Sequence, residues 1–195
     1  MNDLDNNKII IADNDFRLRD GHILEKYVGK GGDVVIPNGI TAIDSSAFIG
    51  CAGITSVVIP EGVTEIGYAM FQNHTSLKKV VLPKTLKEIS SHAFEGCVNL
   101  EYVDIPDGVE IIDSNAFYGC SALKKVVLPQ SIKWIWLSAF AQCKGLTSVV
   151  VSEGVNSLGL NAFSGCSSLE TVVLPSTLEY IPTFGFWGCS SLKHI

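Results

Sequence analysis

The chain has 195 residues, 47% of them hydrophobic and 17% charged, with a formal net charge of −6 from 14 basic and 20 acidic residues. That is ample material for a core, and the wrong balance for a dedicated nucleic-acid binder, which presents a basic face. No apolar run reaches the ~18 residues that a bilayer-spanning helix needs, which argues against membrane insertion.

The opening MNDLDNNKIIIADND has neither a basic start nor a long apolar stretch, so it does not read as a secretory signal. Residues 1–15 are expected to form a flexible, polar segment. Asp13-Asn14-Asp15 lacks the glycine and distal glutamate of a calcium loop and reads as a solvated turn. Residues 16–33 are expected to form a capping hairpin. FRLRDGHILEKYV gives two short strands around Asp20-Gly21, a hairpin turn signal, and the pair would cover the first coil's apolar face. GKGG at 29–32 is not a full phosphate loop and reads as a flexible turn.

From residue 34 to residue 195 the sequence repeats. Phenylalanine falls at 48, 71, 94, 117, 140, 163 and 186, every step being 23 residues. Proline keeps the same period at 37, 60, 83, 106, 129 and 175, with Ser152 in the sixth place. Cysteine keeps it at 51, 97, 120, 143, 166 and 189, with His74 in the second. Leucine or isoleucine follows each by three residues, at 54, 77, 100, 123, 146, 169 and 192. A 23-residue unit is too short to bury a core of its own, so seven such units must stack.

Within a unit, ITSVVIP (54–60) alternates and is β-branched, which predicts a short strand ended by Pro60. PEGV fits a type I turn with Pro second and Gly fourth. GYAMF, SSHAF and DSNAF are compact enough for one helical or 3₁₀ turn. The turn residue alternates along the array, Gly in EGV, DGV and SEGV, Ser or Thr in KTL, QSI and STL. Complementary packing of larger and smaller side chains in neighbouring coils would explain this. The array breaks off at SSLKHI with no polar capping unit after it. Truncation of a longer array is expected there, or end-to-end self-association through an uncapped C-terminus.

The pattern C-x-x-L-x-x-V-x-[IL]-P-x-x-[VL]-x-x-I-x-x-x-A-F, nearly whole in CAGITSVVIPEGVTEIGYAMF (51–71) and CVNLEYVDIPDGVEIIDSNAF (97–117), resembles the BspA-type, or Treponema-type, leucine-rich repeat. The resemblance covers residues 16–195. It implies an α/β leucine-rich repeat solenoid of 23-residue coils, with one parallel sheet of short strands, short helical or 3₁₀ turns opposite, and a hairpin cap at the N-terminus. It also implies a non-enzymatic recognition scaffold. Members are typically bacterial cell-surface proteins, some of them adhesins that bind host matrix proteins. The chain would then sit at the cell surface or be secreted as part of a longer protein. Without a signal, a complete chain would be a cytoplasmic interaction or structural module.

The search for chemistry favours a scaffold as well. H-E-x-x-H, G-x-S-x-G, C-x-x-C and a Gly-rich dinucleotide fingerprint are all missing, so no enzyme, cofactor or metal site is expected. Parallel, equivalent cysteines do not converge on a tetrahedral metal, and six identical copies make no nucleophilic site. Neighbouring rungs are near enough to bridge, but their Cβ vectors point the same way. A small buried side chain with a weak S–H donor is the favoured reading, ahead of a disulfide.

Two places break the columns in ways that suit a protein partner. On the strand face, Tyr102 and Asp104 interrupt a valine and polar stripe and are flanked by Lys79 and Lys125. On the other side, Trp134 and Trp136 occupy slots held elsewhere by Glu65, Glu88, Gly67 and Ser90, with Ile111 preceding Trp134 in its column. Tyr180 follows Trp134 two coils later, and Trp187 enters the seventh AFxGC motif. Large aromatics in polar slots predict an exposed interface patch.

Overall fold

Each coil begins with the alternating β-branched run, because a side-chain period of two buries every second residue and leaves the other outside. In the computed structural model, which describes residues 9–12 and 15–194, the chain folds as an N-terminal cap followed by stacked coils. The cap contains β1 (Ile9–Ala12), β2 (Phe16–Arg19) and β3 (Ile23–Tyr27). The coils then contribute β4 (Gly32–Val35), β5 (Ala42–Ile43), β6 (Ile54–Val58), β7 (Glu65–Ile66), β8 (Lys79–Val81) and β9 (Glu88–Ile89). They continue with β10 (Tyr102–Asp104), β11 (Ile111–Ile112), β12 (Lys125–Val127) and β13 (Trp134–Ile135). The last are β14 (Ser148–Val150), β15 (Ser157–Leu158) and β16 (Thr171–Val173).

The even-numbered strands from β4 to β16 form a seven-stranded parallel sheet in chain order. Its register steps by one coil: Val57 faces Val80, and Val103 faces Val126. A second parallel sheet, not expected from the sequence, joins β7, β9, β11, β13 and β15. It arises because the return segments TEIG, KEIS and EIID each bury one isoleucine, Ile66, Ile89 and Ile112, which meet in register one coil apart.

The third side of each coil carries Phe, and the described residues contain no helix. Here a helical or 3₁₀ turn stops after a single hydrogen bond. Met70 N–H donates to Gly67 O at 3.3 Å and His74 N–H to Phe71 O at 3.1 Å. Within the first of these turns Ala69 lies at φ +52°, and His92, Asn115, Ser138, Asn161 and Phe184 repeat this left-handed residue in later coils. One such residue reverses the backbone and blocks propagation of a helix. The freed amides instead bond sideways to the next coil, as in Phe94 N–H to Ala116 O and Phe117 N–H to Ala139 O, both 2.8 Å.

Inside run the columns read from the sequence. Phe48, Phe71, Phe94, Phe117, Phe140 and Phe163 are all 0% exposed. From Phe71 to Phe186 successive rings stack at 5.2–5.5 Å, within 10° of parallel. The cysteines are free thiols. Five of them donate to the carbonyl of the preceding coil's phenylalanine, Cys97 to Phe71 at 3.1 Å and Cys120 to Phe94 at 3.2 Å, while Cys51 donates to Tyr27 O of the cap at 3.7 Å. Cys143, Cys166 and Cys189 repeat the bond at 3.2 Å. His74 is the exception. Its ring is buried edge-on against Phe71, at 5.7 Å and 83°, and its Nε2 has no partner among the described residues.

The turn after each proline differs from the sequence reading. Val63 N–H bonds to Pro60 O, so proline is the first residue of the turn and Gly62 the third. Gly62 lies at φ +104° and Gly108 at +110°, which makes these type II turns. The Gly–Ser/Thr alternation has a specific cause. Thr85 Oγ1 accepts from Gly62 N–H at 2.9 Å and donates to Val63 O at 2.8 Å, tying two coils together. Ser131 does the same for Gly108 and Val109. Replacing Thr85 by valine should leave Gly62 N–H unpaired and cost about 1–3 kcal/mol, whereas serine should restore most of it. Urea unfolding of the two variants compares them.

At the N-terminus β2 and β3 pair antiparallel around Asp20 (φ +53°) and Gly21 (φ +77°), the two positive angles of a type I′ turn. β3 then pairs parallel with β5, so the hairpin is hydrogen-bonded onto the first coil. The segment expected to be flexible contributes β1, which pairs antiparallel with β2; its isoleucine run favours extended backbone. The rest of that expectation, residues 1–8, and Asp13-Asn14 of the expected solvated turn lie outside the described residues. GKGG is tied rather than flexible, with Gly32 N–H bonded to Gly53 O at 2.8 Å.

Candidate functional site

Outward columns place six of the eight candidate residues in two grooves on different sides of the coils. On the large sheet, Tyr102 is in direct register with Lys79 on one side and Lys125 on the other. Tyr102 is half exposed, and an open groove of about 620 Å³ runs beside it. Lys79, Lys84, Tyr102, Asp104 and Asp107 line it, while Lys125 stands next to Tyr102 outside the lining. The exposed valines of the same face, Val81 and Val127, continue it as an apolar strip. Two lysines against two aspartates leave the groove close to neutral, a mixed surface suited to hydrogen-bonding partners.

The second groove is aromatic. β13 turns Ile135 inward, 1% exposed, and Trp134 outward, 41% exposed. Trp136 follows on the outer side at 49%. In the next coil the corresponding positions are Ser157 and Gly159, and in the coil after that Tyr180 and Pro182. The result is a slot of about 500 Å³, walled by Trp134, Trp136 and Leu137 on one side and by Tyr180 and Pro182 on the other. Ser157 and Gly159 form its floor. A Cβ on Gly159 would lie 2.3 Å from the Trp136 carbonyl carbon, so this floor is bare by necessity. Pro182 has no N–H to give. Gly159 N–H bonds to Ile135 O at 2.7 Å, but the seventh coil makes no equivalent bond, and the second sheet stops at β15.

Charges lie outside the slot. Lys133 donates to Glu110 at 2.6 Å, which holds the Glu110 carboxyl below the usual range, and its ammonium sits 6.0 Å from the Trp134 ring centroid. Trp187 is 66% exposed and packs edge-on against Phe184 at 6.5 Å, away from the slot lining. The structure therefore brings together Lys79, Tyr102 and Asp104 in one groove and Trp134, Trp136 and Tyr180 in the other. Lys125 and Trp187 stand outside both.

Leu137 and Leu160 were missed by sequence reasoning. They break a column otherwise made of Ser45, Tyr68, Ser91, Ser114 and Thr183, the same kind of signal that marked the tryptophans. Among the described residues no group of three or more His, Cys, Asp or Glu is placed to hold a metal ion.

Because more than half of Trp134 is covered, Trp134→Ser should cost about 1–2 kcal/mol of burial. Trp187→Ser should stay within about 0.5 kcal/mol. Paired urea-unfolding curves distinguish them.

The family model described as "BspA type Leucine rich repeat region (6 copies)" matches residues 30–144 and 66–193. The crystal structure of a Treponema pallidum leucine-rich repeat protein is 32% identical, with a TM-score of 0.78 over 98% of this chain and 90% of that one. A leucine-rich repeat protein from Eubacterium ventriosum is 26% identical, with a TM-score of 0.68 over 82% of this chain and 50% of that one. A leucine-rich cell surface protein from Faecalibacterium prausnitzii shares the fold at 22% identity and a TM-score of 0.50, over 95% of this chain and 81% of that one. No curated protein matches. With its columns, its stacked coils and a family match over most of its length, the chain belongs to the BspA-type leucine-rich repeat family.

Proposed function

We propose that this chain is a protein-recognition segment of a bacterial cell-surface or adhesion protein, and that the aromatic slot between the fifth and seventh coils is its principal contact surface. The observation that carries the reading is the slot itself. Three large rings stand half exposed in columns that hold mostly small or acidic residues elsewhere, around a floor of Ser157 and Gly159 that cannot bear a side chain at Gly159. Aromatic anchors around a preformed depression are the usual energetic centre of a protein interface. The Tyr102 groove would supply polar contacts on the other side, with Lys79, Lys125 and Asp104. Host matrix proteins or neighbouring surface proteins are the partners in view, and the cell-surface neighbour with this fold supports that setting.

The test has two arms. Antibody labelling of intact cells should detect the chain without lysis. The purified chain should bind at least one immobilised matrix protein, and a Trp134→Ala/Tyr180→Ala variant that stays folded should bind at least about tenfold more weakly. Labelling only after lysis would favour the alternative, a cytoplasmic interaction module, which the six free thiols also suit. Binding that ignores the double substitution would remove the slot from the reading.

A further inference from the structure

We infer that the aromatic slot takes a proline-rich segment in the polyproline II conformation, laid along the solenoid axis so that it bridges the slot from the Trp134 wall to the Tyr180 wall. This rests on the recognition reading above and specifies the partner's chemistry.

Spacing is the first argument. Trp134 and Tyr180 occupy one column two coils apart, with Ser157 between them. Two strand steps of ~4.8 Å separate their backbones by ~9.6 Å. A polyproline II helix repeats every three residues at 3.1 Å each, about 9.3 Å per turn. Residues i and i+3 of such a segment therefore meet Trp134 and Tyr180 in phase. The intervening turn lies over the bare floor of Ser157 and Gly159.

The second argument is hydrogen bonding. The slot is lined by Trp, Ile, Leu, Ser, Gly, Tyr and Pro, with no carboxylate or amide side chain. Among its half-exposed walls are three side chains that carry donors, the indoles of Trp134 and Trp136 and the hydroxyl of Tyr180. A polyproline segment presents the complement, because proline keeps its carbonyl acceptor and has no N–H. Its backbone makes no internal hydrogen bonds, so every carbonyl is free for a partner. A sugar ring would also stack on tryptophan, but its hydroxyls both donate and accept, and the only side-chain acceptors in the lining are the hydroxyls of Ser157 and Tyr180. An ordinary extended peptide would bring N–H groups for which the slot holds no carboxylate or amide side chain as acceptor.

The third argument is preorganisation. Polyproline II is already populated in the free segment, so little ordering entropy is lost on docking. An aromatic-lined groove on a rigid scaffold is the general physical solution for reading it.

The experiment titrates the full chain with a ten-residue polyproline peptide and, separately, with a Gly/Ser peptide of equal length, both followed by intrinsic tryptophan fluorescence. Saturable binding of polyproline at least about tenfold tighter than the Gly/Ser peptide is expected. Trp134→Ala/Tyr180→Ala should weaken it by at least about tenfold, while Trp187→Ala, outside the slot, should leave it unchanged. Circular dichroism confirms that the variants remain folded. Equal affinity for the two peptides, no saturation, or full binding by the double variant would overturn the inference. So would cellohexaose binding to the slot in place of polyproline. If matrix-protein binding depends on Trp134 while polyproline fails, the recognition reading stands and this occupant is wrong. If polyproline binds while every matrix protein fails, the occupant stands and the choice of host partner is wrong.

Discussion

Phe117→Ala should lower the free energy of unfolding by about 3–5 kcal/mol, a large part of the stability of a domain this size. Phe117 is wholly buried between Phe94 and Phe140, both centroids 5.2 Å away, with ring planes within 10° and 3°. Removing the ring forfeits its burial and opens a gap between two stacked neighbours. The coils above and below are pinned by the sheet ladders and by the lateral Phe-to-Ala amide bonds, so they cannot close that gap. A solenoid also has no contacts beyond its nearest coils to share the damage. Phe186→Ala, at a partly buried position packed on one side by Phe163, should cost markedly less. Urea unfolding monitored by circular dichroism gives both numbers. A loss under about 1 kcal/mol at Phe117 would mean that the ring column does not hold the coils together.

The second large effect is alkaline. Burial pushes the thiols of Cys97 and Cys166 up to about 12, and those of Cys120 and Cys143 well above their ordinary value. In the unfolded chain they titrate near the ordinary cysteine value of about 8.5. Between these limits the unfolded state releases protons that the folded state keeps, so stability falls as pH rises. The contribution is fully present below about pH 8.5 and is lost on the way to the folded value. Each thiol adds a slope of up to about 1.4 kcal/mol per pH unit. Thermal midpoints should be flat from about pH 7 to 8 and drop steeply above about 9. Cys120→Ala/Cys143→Ala should remove about half of the four-thiol slope, while tyrosine and lysine contributions cancel between the two proteins. An unchanged slope in the double variant would show that the thiol rungs are not what titrates.

The repeat, the inward columns and the coil count were legible in the sequence, because a 23-residue unit that cannot bury itself leaves stacking as the remaining way to form a core. The cysteine ladder was legible as architecture for the same reason, and its S–H donors do reach the phenylalanine carbonyls. What was not legible depends on backbone geometry between coils. The second sheet needs two return segments to meet in register, and no single unit encodes that meeting. The end of the Phe side as bare turns follows from left-handed residues on either side of each phenylalanine, and those before it, among them Ala69, His92, Asn115 and Phe184, share no chemistry.

The candidate residues divide along the same line. Trp134, Trp136 and Tyr180 stood out in sequence because they break polar columns. That they wall one slot depends on Gly159 and Ser157 in the coil between them and on Pro182 ending the sheet. Trp187 also stands out, in a column that already holds Ile49 and Tyr118, and lies elsewhere. By itself, the sequence determined that the chain stacks, which residues face inward, and which positions depart from the pattern. The tertiary structure alone decided which departures share a surface, because the distance between two side chains in a solenoid is set by the stacking of coils and not by the spacing within one.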